Sequence, residues 1–273
     1  MTTEVIRANI QVHTRMAESY DRLEPHFRPE NRAKVRKILE GIALRSEGGR
    51  LLDLGCGTGF IIGLAKDLFR EIHGVDVTRA MLDRVDISGG NVALHCQPAE
   101  ALPFEDNSFD AATAYSFIHH LEDYRPVLRE AYRVLKPGGV FYIDLEPNKL
   151  FWDRMAVVAE FDGPLPPIVA KARDAVLHTD AQVEKDFGIP SQVFQKAEFG
   201  KAILGGVDAD RAKREARAIG FREVTVKFDW YLGQGEIMHG KSFDEAAKVE
   251  SYLREIAPLS DSLFKYVQLL LVK

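Results

Sequence analysis

The sequence predicts a doubly wound α/β fold, with a mostly parallel seven-stranded sheet and a helical cap inserted late in the chain. Three observations carry that expectation. The apolar run Leu51, Leu52 and Leu54 passes directly into three alternating glycines and then into a helix-spaced stretch, as when a buried strand hands over to a helix through a ligand-facing loop. Short apolar runs and amphipathic stretches then alternate as far as residue 146, the pattern of parallel strands joined by crossover helices. Residues 147–207 have helical spacing and no strand pattern, and a plain loop of that length is uncommon. The expected organisation is N-terminal helices and a ligand-binding core over 1–146, a helical cap over 147–207, and a return to the core over 208–273 with a helical insertion at about 236–258.

Taken in order, residues 2–22 place Ile6, Ile10, Met16 and Tyr20 on a mixed background and read as one helix. His26, before Pro29, reads as a surface residue. From Glu30 to Ile42 the positions Val35, Ile38, Leu39 and Ile42 form one face, leaving Arg32, Lys34, Arg36 and Lys37 as a solvated basic face. Ile61, Leu64, Ala65 and Leu68 mark the helix after the glycines, and residues 71–76 and 91–96 read as the second and third strands. A turn at Asp106 leads to a strand ending at Tyr115, and Arg125 to Leu135 is an amphipathic helix. Pro137, Gly138 and Gly139 stop that helix, and residues 140–145 form the fifth strand. In the cap, two helical pieces are separated by the breakers Gly163 to Pro167 and by Gly188-Ile-Pro190. Helix 209–219, strand 221–232 and strand 264–272 return to the core. The last two strands should form a hairpin split by an insertion, whose helix starts at the capping box Ser242-Phe-Asp-Glu245.

Length and composition narrow the function. The chain has 273 residues, enough for one α/β domain with insertions. A formal charge of −5 supplies no basic field for a phosphate backbone, so no nucleic acid is expected as a partner. Cys56 and Cys96 form neither a metal-type C-x-x-C pair nor a disulfide framework, which points to a reducing, cytoplasmic setting. The start, Met1 to Arg7, lacks the features of a signal peptide, and no apolar run approaches a membrane span. The expected partner is a small-molecule substrate. A homodimer is left open.

Gly55, Gly57 and Gly59 can take positive φ and let a ligand lie against bare backbone. Dinucleotide spacing requires G-x-G-x-x-G, but counting from Gly55 the last position is Phe60, and from Gly57 it is Ile62. Asp53, two residues ahead of the loop, would repel a pyrophosphate yet could hold an amino group or hydroxyl of a zwitterionic ligand. Asp76 ends the second strand beside the loop and could accept both hydroxyls of a ribose.

At this point the chain resembles the class I S-adenosylmethionine-dependent methyltransferases, in the Asp53-x-Gly55-x-Gly57-x-Gly59 motif, in Asp76, and in Arg133-Val-Leu-Lys-Pro-Gly-Gly139. That resemblance implies a Rossmann-like sheet, S-adenosyl-L-methionine as cofactor and methyl transfer as activity. It implies that Asp53, Gly55, Gly57, Gly59 and Asp76 hold the cofactor, with Val77 and Met81 against the adenine. Ser19-Tyr20-Asp21 resembles a Tyr-Asp pair of the family, making Tyr20 a contact to the methionine end or to substrate. Gln97-Pro-Ala-Glu-Ala-Leu-Pro-Phe104 resembles a segment whose Asp accepts from the adenine amino group, but Pro98 stands there, so that contact must come from backbone or Glu100 beside Ala99. Ser116, at the end of the fourth strand, should face the methyl donor.

Transfer from a sulfonium is an in-line displacement that mainly requires alignment and dryness. A base serves only a protonated nucleophile. His119 and His120 are the candidates, pointing to different sides, with His120 preferred as catalytic. They have no i, i+4 histidine partner or cysteine cluster, so no metal is expected. Asp144 and Glu146 alternate at the end of the fifth strand and could face the crevice, although strand-end carboxylates are usually solvated; Glu146 is a second base candidate. Two rivals remain: a nicotinamide-dependent oxidoreductase, against which Phe60 and Asp53 argue, and a non-catalytic S-adenosylmethionine-binding or regulatory protein, toward which Pro98 is the one hint.

Overall fold

The computed structural model describes residues 4–273. The N-terminal segment forms two helices, α1 (Glu4–Met16) and the single turn α2 (Tyr20–Leu23), where one helix over 2–22 is expected. Residues 1–3, and with them the first positions of that expectation, lie outside the described residues. The break comes where Ser19 turns the chain, its N–H returning to the Met16 carbonyl at 3.0 Å, and serine competes well for backbone partners at such a turn. Helix α3 (Pro29–Arg45) begins on a proline, which needs no N–H there. Its basic face is not simply solvated, because Lys34 pairs with Asp229 and Arg36 with Asp67.

The core then alternates strand and helix: β1 (Arg50–Leu54), α4 (Phe60–Ala65), β2 (Glu71–Asp76), α5 (Arg79–Leu82), β3 (Val92–Cys96), β4 (Phe109–Tyr115), α6 (Arg125–Val134) and β5 (Leu135–Pro147). Strand β5 starts earlier than expected. Leu135 already pairs with Phe109, and Lys136 to Gly139 bulge out before Val140 pairs with Ala111. Gly138, at φ +82°, absorbs that bulge.

Four helices follow, α7 (Lys149–Ala159), α8 (Pro167–Leu177), α9 (Thr179–Phe187) and α10 (Ser191–Ala197), then a π-turn over Phe199–Ile203. The chain returns through α11 (Ala209–Ile219), β6 (Glu223–Tyr231), α12 (Gln234–Gly240), α13 (Phe243–Glu255) and β7 (Phe264–Val272). Ser242 caps α13, its Oγ accepting the Glu245 N–H at 3.1 Å, which is the serine half of the expected capping box.

One sheet carries the order β3-β2-β1-β4-β5-β7-β6. Its first five strands run parallel, and β7 runs antiparallel to both β5 and β6, so the expected terminal hairpin is present. The order reverses between β1 and β4, which opens a crevice at their carboxyl ends. Leu52, Leu54, Phe141 and Ile143 pack one face of the sheet with α6 and α11, while Leu51, Ile72 and Tyr142 pack the other with α3 and α4. A third cluster joins Ala8, Val12 and Met16 of α1 to Phe194 and Ala197 of α10 and to Ile189. The N-terminal helix thus closes against the cap over the carboxyl ends of the strands.

Candidate functional site

The crevice is built from β1 outward. After Leu54 the chain turns at Gly55 (φ +67°), and the N–H groups of Gly55 and Cys56 both donate to the Val75 carbonyl, at 2.8 and 3.0 Å. A Cβ on Gly55 would fall 2.1 Å from the Phe117 ring, whereas one on Gly57 (φ +52°) would meet only the Met81 methyl at 3.6 Å. A cavity of about 340 Å³ opens over this loop. Tyr20, Asp53, Gly55, Gly57, Asp76, Val77, Met81, Ala99, Glu100, Ser116 and His120 all line it. Gly59 is not brought into the cavity. At φ +92° it begins α4, and a Cβ there would press on Val85 at 3.0 Å, so its demand is conformation and packing.

At one end of the cavity, Asp76 accepts the Gly57 N–H on Oδ2 at 3.0 Å and the Thr78 N–H on Oδ1 at 2.8 Å. Each oxygen keeps a lone pair for a hydroxyl. Asp53 is 1% exposed. Its Oδ1 accepts from Thr113 Oγ1 at 2.7 Å, and its Oδ2 is buried with no partner among the described residues. Burial pushes its carboxyl up to about 7; the Thr113 hydroxyl opposes this and the Asp76 charge adds to it. An orphaned acceptor in the cavity wall fits an ammonium, as the α-amino group of S-adenosyl-L-methionine would supply. The residues present therefore fit the expected cofactor, with Asp53 for the amino group and Asp76 for the ribose. Gln97, which the sequence reading passed over, lines the same cavity and has a buried Nε2 without a partner. Its place next to Pro98 was the available signal.

At the other end stand Asn9 and His13 of α1, with Tyr20 and His120. Neither Asn9 nor His13 was foreseen, because only the closure of α1 brings them in. Asn9 Nδ2 donates to the His120 carbonyl at 3.2 Å, and the His13 and His120 rings meet edge-on at 5.1 Å. His26 corrects the expectation of a surface residue. It is 6% exposed and packs among the rings of Phe27, Phe60 and Tyr115, with burial pushing it down to about 4.

The two adjacent histidines occupy a 3-10 turn over Ile118–His120, with ring centroids 4.1 Å apart. Among the cavity-lining side chains is His120 but not His119. Glu146 is no solvated base. Fully buried, it accepts the N–H groups of Phe117, Ile118 and His119 at 2.7–3.0 Å and faces His119 Nδ1 at 2.8 Å. Asp144 is likewise committed, to Tyr142, Gln268 and the Leu145 N–H. Burial pulls the His119 imidazole down, but the Glu146 carboxylate outweighs it and the net shift is upward. His120 is pushed down to about 3, by burial first and by His119 second. The cap adds Glu198, with its carboxylate 3.5 Å from His120 Nδ1 and 3.8 Å from His119 Nε2.

His119, His120 and Glu198 each offer one donor atom within 4.8 Å of the others, a set that spacing alone did not reveal. It fits a cation poorly. Lys201 already places its ammonium 3.0 Å from Glu198, and His120 Nδ1 lies 2.9 Å from the Ala197 carbonyl.

Residues 52–143 match the methyltransferase domain family. The chain is 35% identical over 120 residues to a probable S-adenosylmethionine-dependent methyltransferase of Mycolicibacterium smegmatis, covering 41% of this chain and 44% of that one. It is 35% identical over 162 residues to a demethylmenaquinone methyltransferase of Listeria monocytogenes, covering 53% and 65%. The match thus spans less than two thirds of either relative's own length. Among solved structures, an S-adenosylmethionine-dependent methyltransferase from Mesorhizobium loti superposes with a TM-score of 0.54 at 17% identity, over 87% of this chain and 96% of that one. The likeness is one of fold.

Proposed function

We propose that this chain, a member of the class I S-adenosylmethionine-dependent methyltransferase family, transfers a methyl group to a small-molecule acceptor bound beside His120. One observation carries the reading: a single cavity runs from Asp76, Val77 and Met81, past the unpartnered Oδ2 of Asp53, to Tyr20, His13 and His120. When bound, the cofactor supplies a sulfonium methyl, whose C–S electron pair returns to sulfur as the acceptor's lone pair forms the new bond. The chain's own work is to hold both ends of the cofactor and to exclude water. Closure of α1 against α10 supports the second of these.

His120 is the proposed catalytic residue. Its depressed proton affinity keeps the imidazole neutral, so it can accept a hydrogen bond from the acceptor and align it. The acceptor's O–H or N–H is the donor in that contact and His120 Nε2 the lone pair it meets. The cavity's size and the polar groups at this end favour a small, partly apolar acceptor. Among the described residues no helix is long and apolar enough to cross a membrane.

The test is calorimetric titration with S-adenosylhomocysteine and with NAD, followed by transfer of labelled methyl to a panel of small hydroxyl and amine compounds. Binding of the adenosyl ligand alone, with label transferred, is the expected result. Binding of NAD alone would remove the reading, and adenosyl binding without transfer to any acceptor would favour the non-catalytic binder.

A further inference from the structure

We infer that Glu198 is a positioning residue: with the adjoining Ala197 carbonyl it holds His120 as the Nδ1–H tautomer, Nε2 turned to the cavity, and thereby selects acceptors that present an O–H or N–H. This deepens the reading above and rests on His120 being the residue that meets the acceptor.

The tautomer follows from the partners. His120 Nδ1 lies 2.9 Å from the Ala197 carbonyl oxygen. A carbonyl has no proton to give, so the nitrogen must carry it, and in a neutral imidazole the other nitrogen then bears the lone pair. Nε2 has no protein partner among the described residues, while the ring lines the cavity. The Glu198 carboxylate, 3.5 Å from Nδ1, is too far for a strong hydrogen bond, but its charge favours a proton at that nitrogen. Glu198 is itself fixed. Lys201 Nζ sits 3.0 Å from it and 5.5 Å from the centre of the Trp152 ring.

The backbone keeps this arrangement in register. Gly200 lies so close to the histidine pair that a Cβ would come within 2.7 Å of the His119 carbonyl oxygen. The π-turn that carries Lys201 therefore packs directly on the turn that carries His120, an irregularity of a kind often kept at functional sites.

A lone pair held at this point accepts a hydrogen bond from an alcohol, a phenol or an amine N–H. A thioether or a tertiary amine gains nothing from it. Removing the Glu198 charge should weaken the tautomer preference.

The experiment is nitrogen-15 NMR of the imidazoles in the full chain with S-adenosylhomocysteine bound, for the wild type, Glu198→Gln and Lys201→Met. The wild type should show His120 protonated on Nδ1 and bare on Nε2 across neutral pH. Glu198→Gln should shift the tautomer ratio toward Nε2–H by about tenfold, the effect of roughly one pKa unit of interaction. Lys201→Met leaves Glu198 uncompensated and should raise the proton affinity of His120. Should Glu198→Gln fail to fold, Lys201→Met carries the test. A wild-type His120 protonated on Nε2, or the same tautomer and titration in all three proteins, would overturn the inference. Binding of S-adenosylhomocysteine, followed on the same samples, separates the two readings. A chain that binds it but carries the wrong tautomer loses only this inference; one that does not bind it loses the functional reading.

Discussion

Asp21 reaches from α2 to the glycine loop, where its Oδ1 accepts a hydrogen bond of 2.5 Å from Thr58 Oγ1. The contact latches the N-terminal segment to the loop that meets the cofactor, and α1 is in turn packed on α10. Loop, lid and cap are thereby joined through one side-chain pair and one apolar cluster. Thr58→Val keeps the bulk and removes the donor. A hydrogen bond to a charged group contributes about 1.5–3 kcal/mol, so affinity for S-adenosylhomocysteine should fall roughly 10–100-fold. Most of the loss should appear as faster dissociation, which stopped-flow displacement would measure. An unchanged dissociation rate would mean that the latch does not hold the lid.

Asp76 braces the loop through the Gly57 N–H and the next turn through the Thr78 N–H, and in the proposed reading its remaining lone pairs take the ribose. Asp76→Asn keeps one oxygen and the shape but loses charge and one acceptor. Asp76→Ala loses all of it. Binding of S-adenosylhomocysteine should drop about tenfold or more in the first variant and about a hundredfold or more in the second. Calorimetric titration gives both numbers, and equal affinities across the three proteins would contradict the ribose assignment.

Asp53 predicts a pH dependence with a definite sign. Its carboxyl is pushed from the ordinary 3.8 up to about 7 by burial. The folded chain without cofactor therefore keeps a proton that the unfolded chain has released, and stability contributed at this site is lost as pH rises from about 4 through about 7. An ammonium against Oδ2 reverses the preference. Cofactor binding below pH about 7 should thus release a proton, and affinity should rise with pH until it levels off near 7. Titration calorimetry in two buffers of different ionisation enthalpy reads the proton directly. Asp53→Asn should abolish the buffer dependence, and a wild type that releases no proton would exclude Asp53 as the ammonium partner.

What could be read from sequence was what depends on neighbours along the chain. Asp53, Gly55, Gly57 and Asp76 sit at fixed offsets from strand ends, and a parallel sheet turns those offsets directly into positions around one crevice. The cap side was opaque for the opposite reason. Glu198, itself paired with Lys201, meets His120 across more than seventy residues, and His13 arrives only because α1 folds back over the sheet. Glu146 resembled a solvated strand end because its partners are backbone amides of a turn, which no side-chain pattern announces. His26 looked exposed between prolines, yet a cluster of rings assembled from three separate segments encloses it.

Gly57 and Gly59 look equivalent in the motif and should behave differently when each is replaced by alanine. Both have positive φ, +52° and +92°, which a side chain tolerates poorly, at about 1–3 kcal/mol. At Gly59 the added Cβ also presses on Val85 at 3.0 Å within the core, away from the cavity. At Gly57 it would meet only the Met81 methyl at 3.6 Å and would project into the cavity wall. Gly59→Ala should therefore lower the midpoint of thermal unfolding by several degrees while a folded fraction still binds S-adenosylhomocysteine. Gly57→Ala should cost less stability and more affinity, because the methyl occupies space that the ligand needs against bare backbone. Thermal unfolding with and without S-adenosylhomocysteine distinguishes the two: the ligand-induced rise should survive in Gly59→Ala and shrink in Gly57→Ala. The reverse pattern would place Gly59, and not Gly57, against the cofactor.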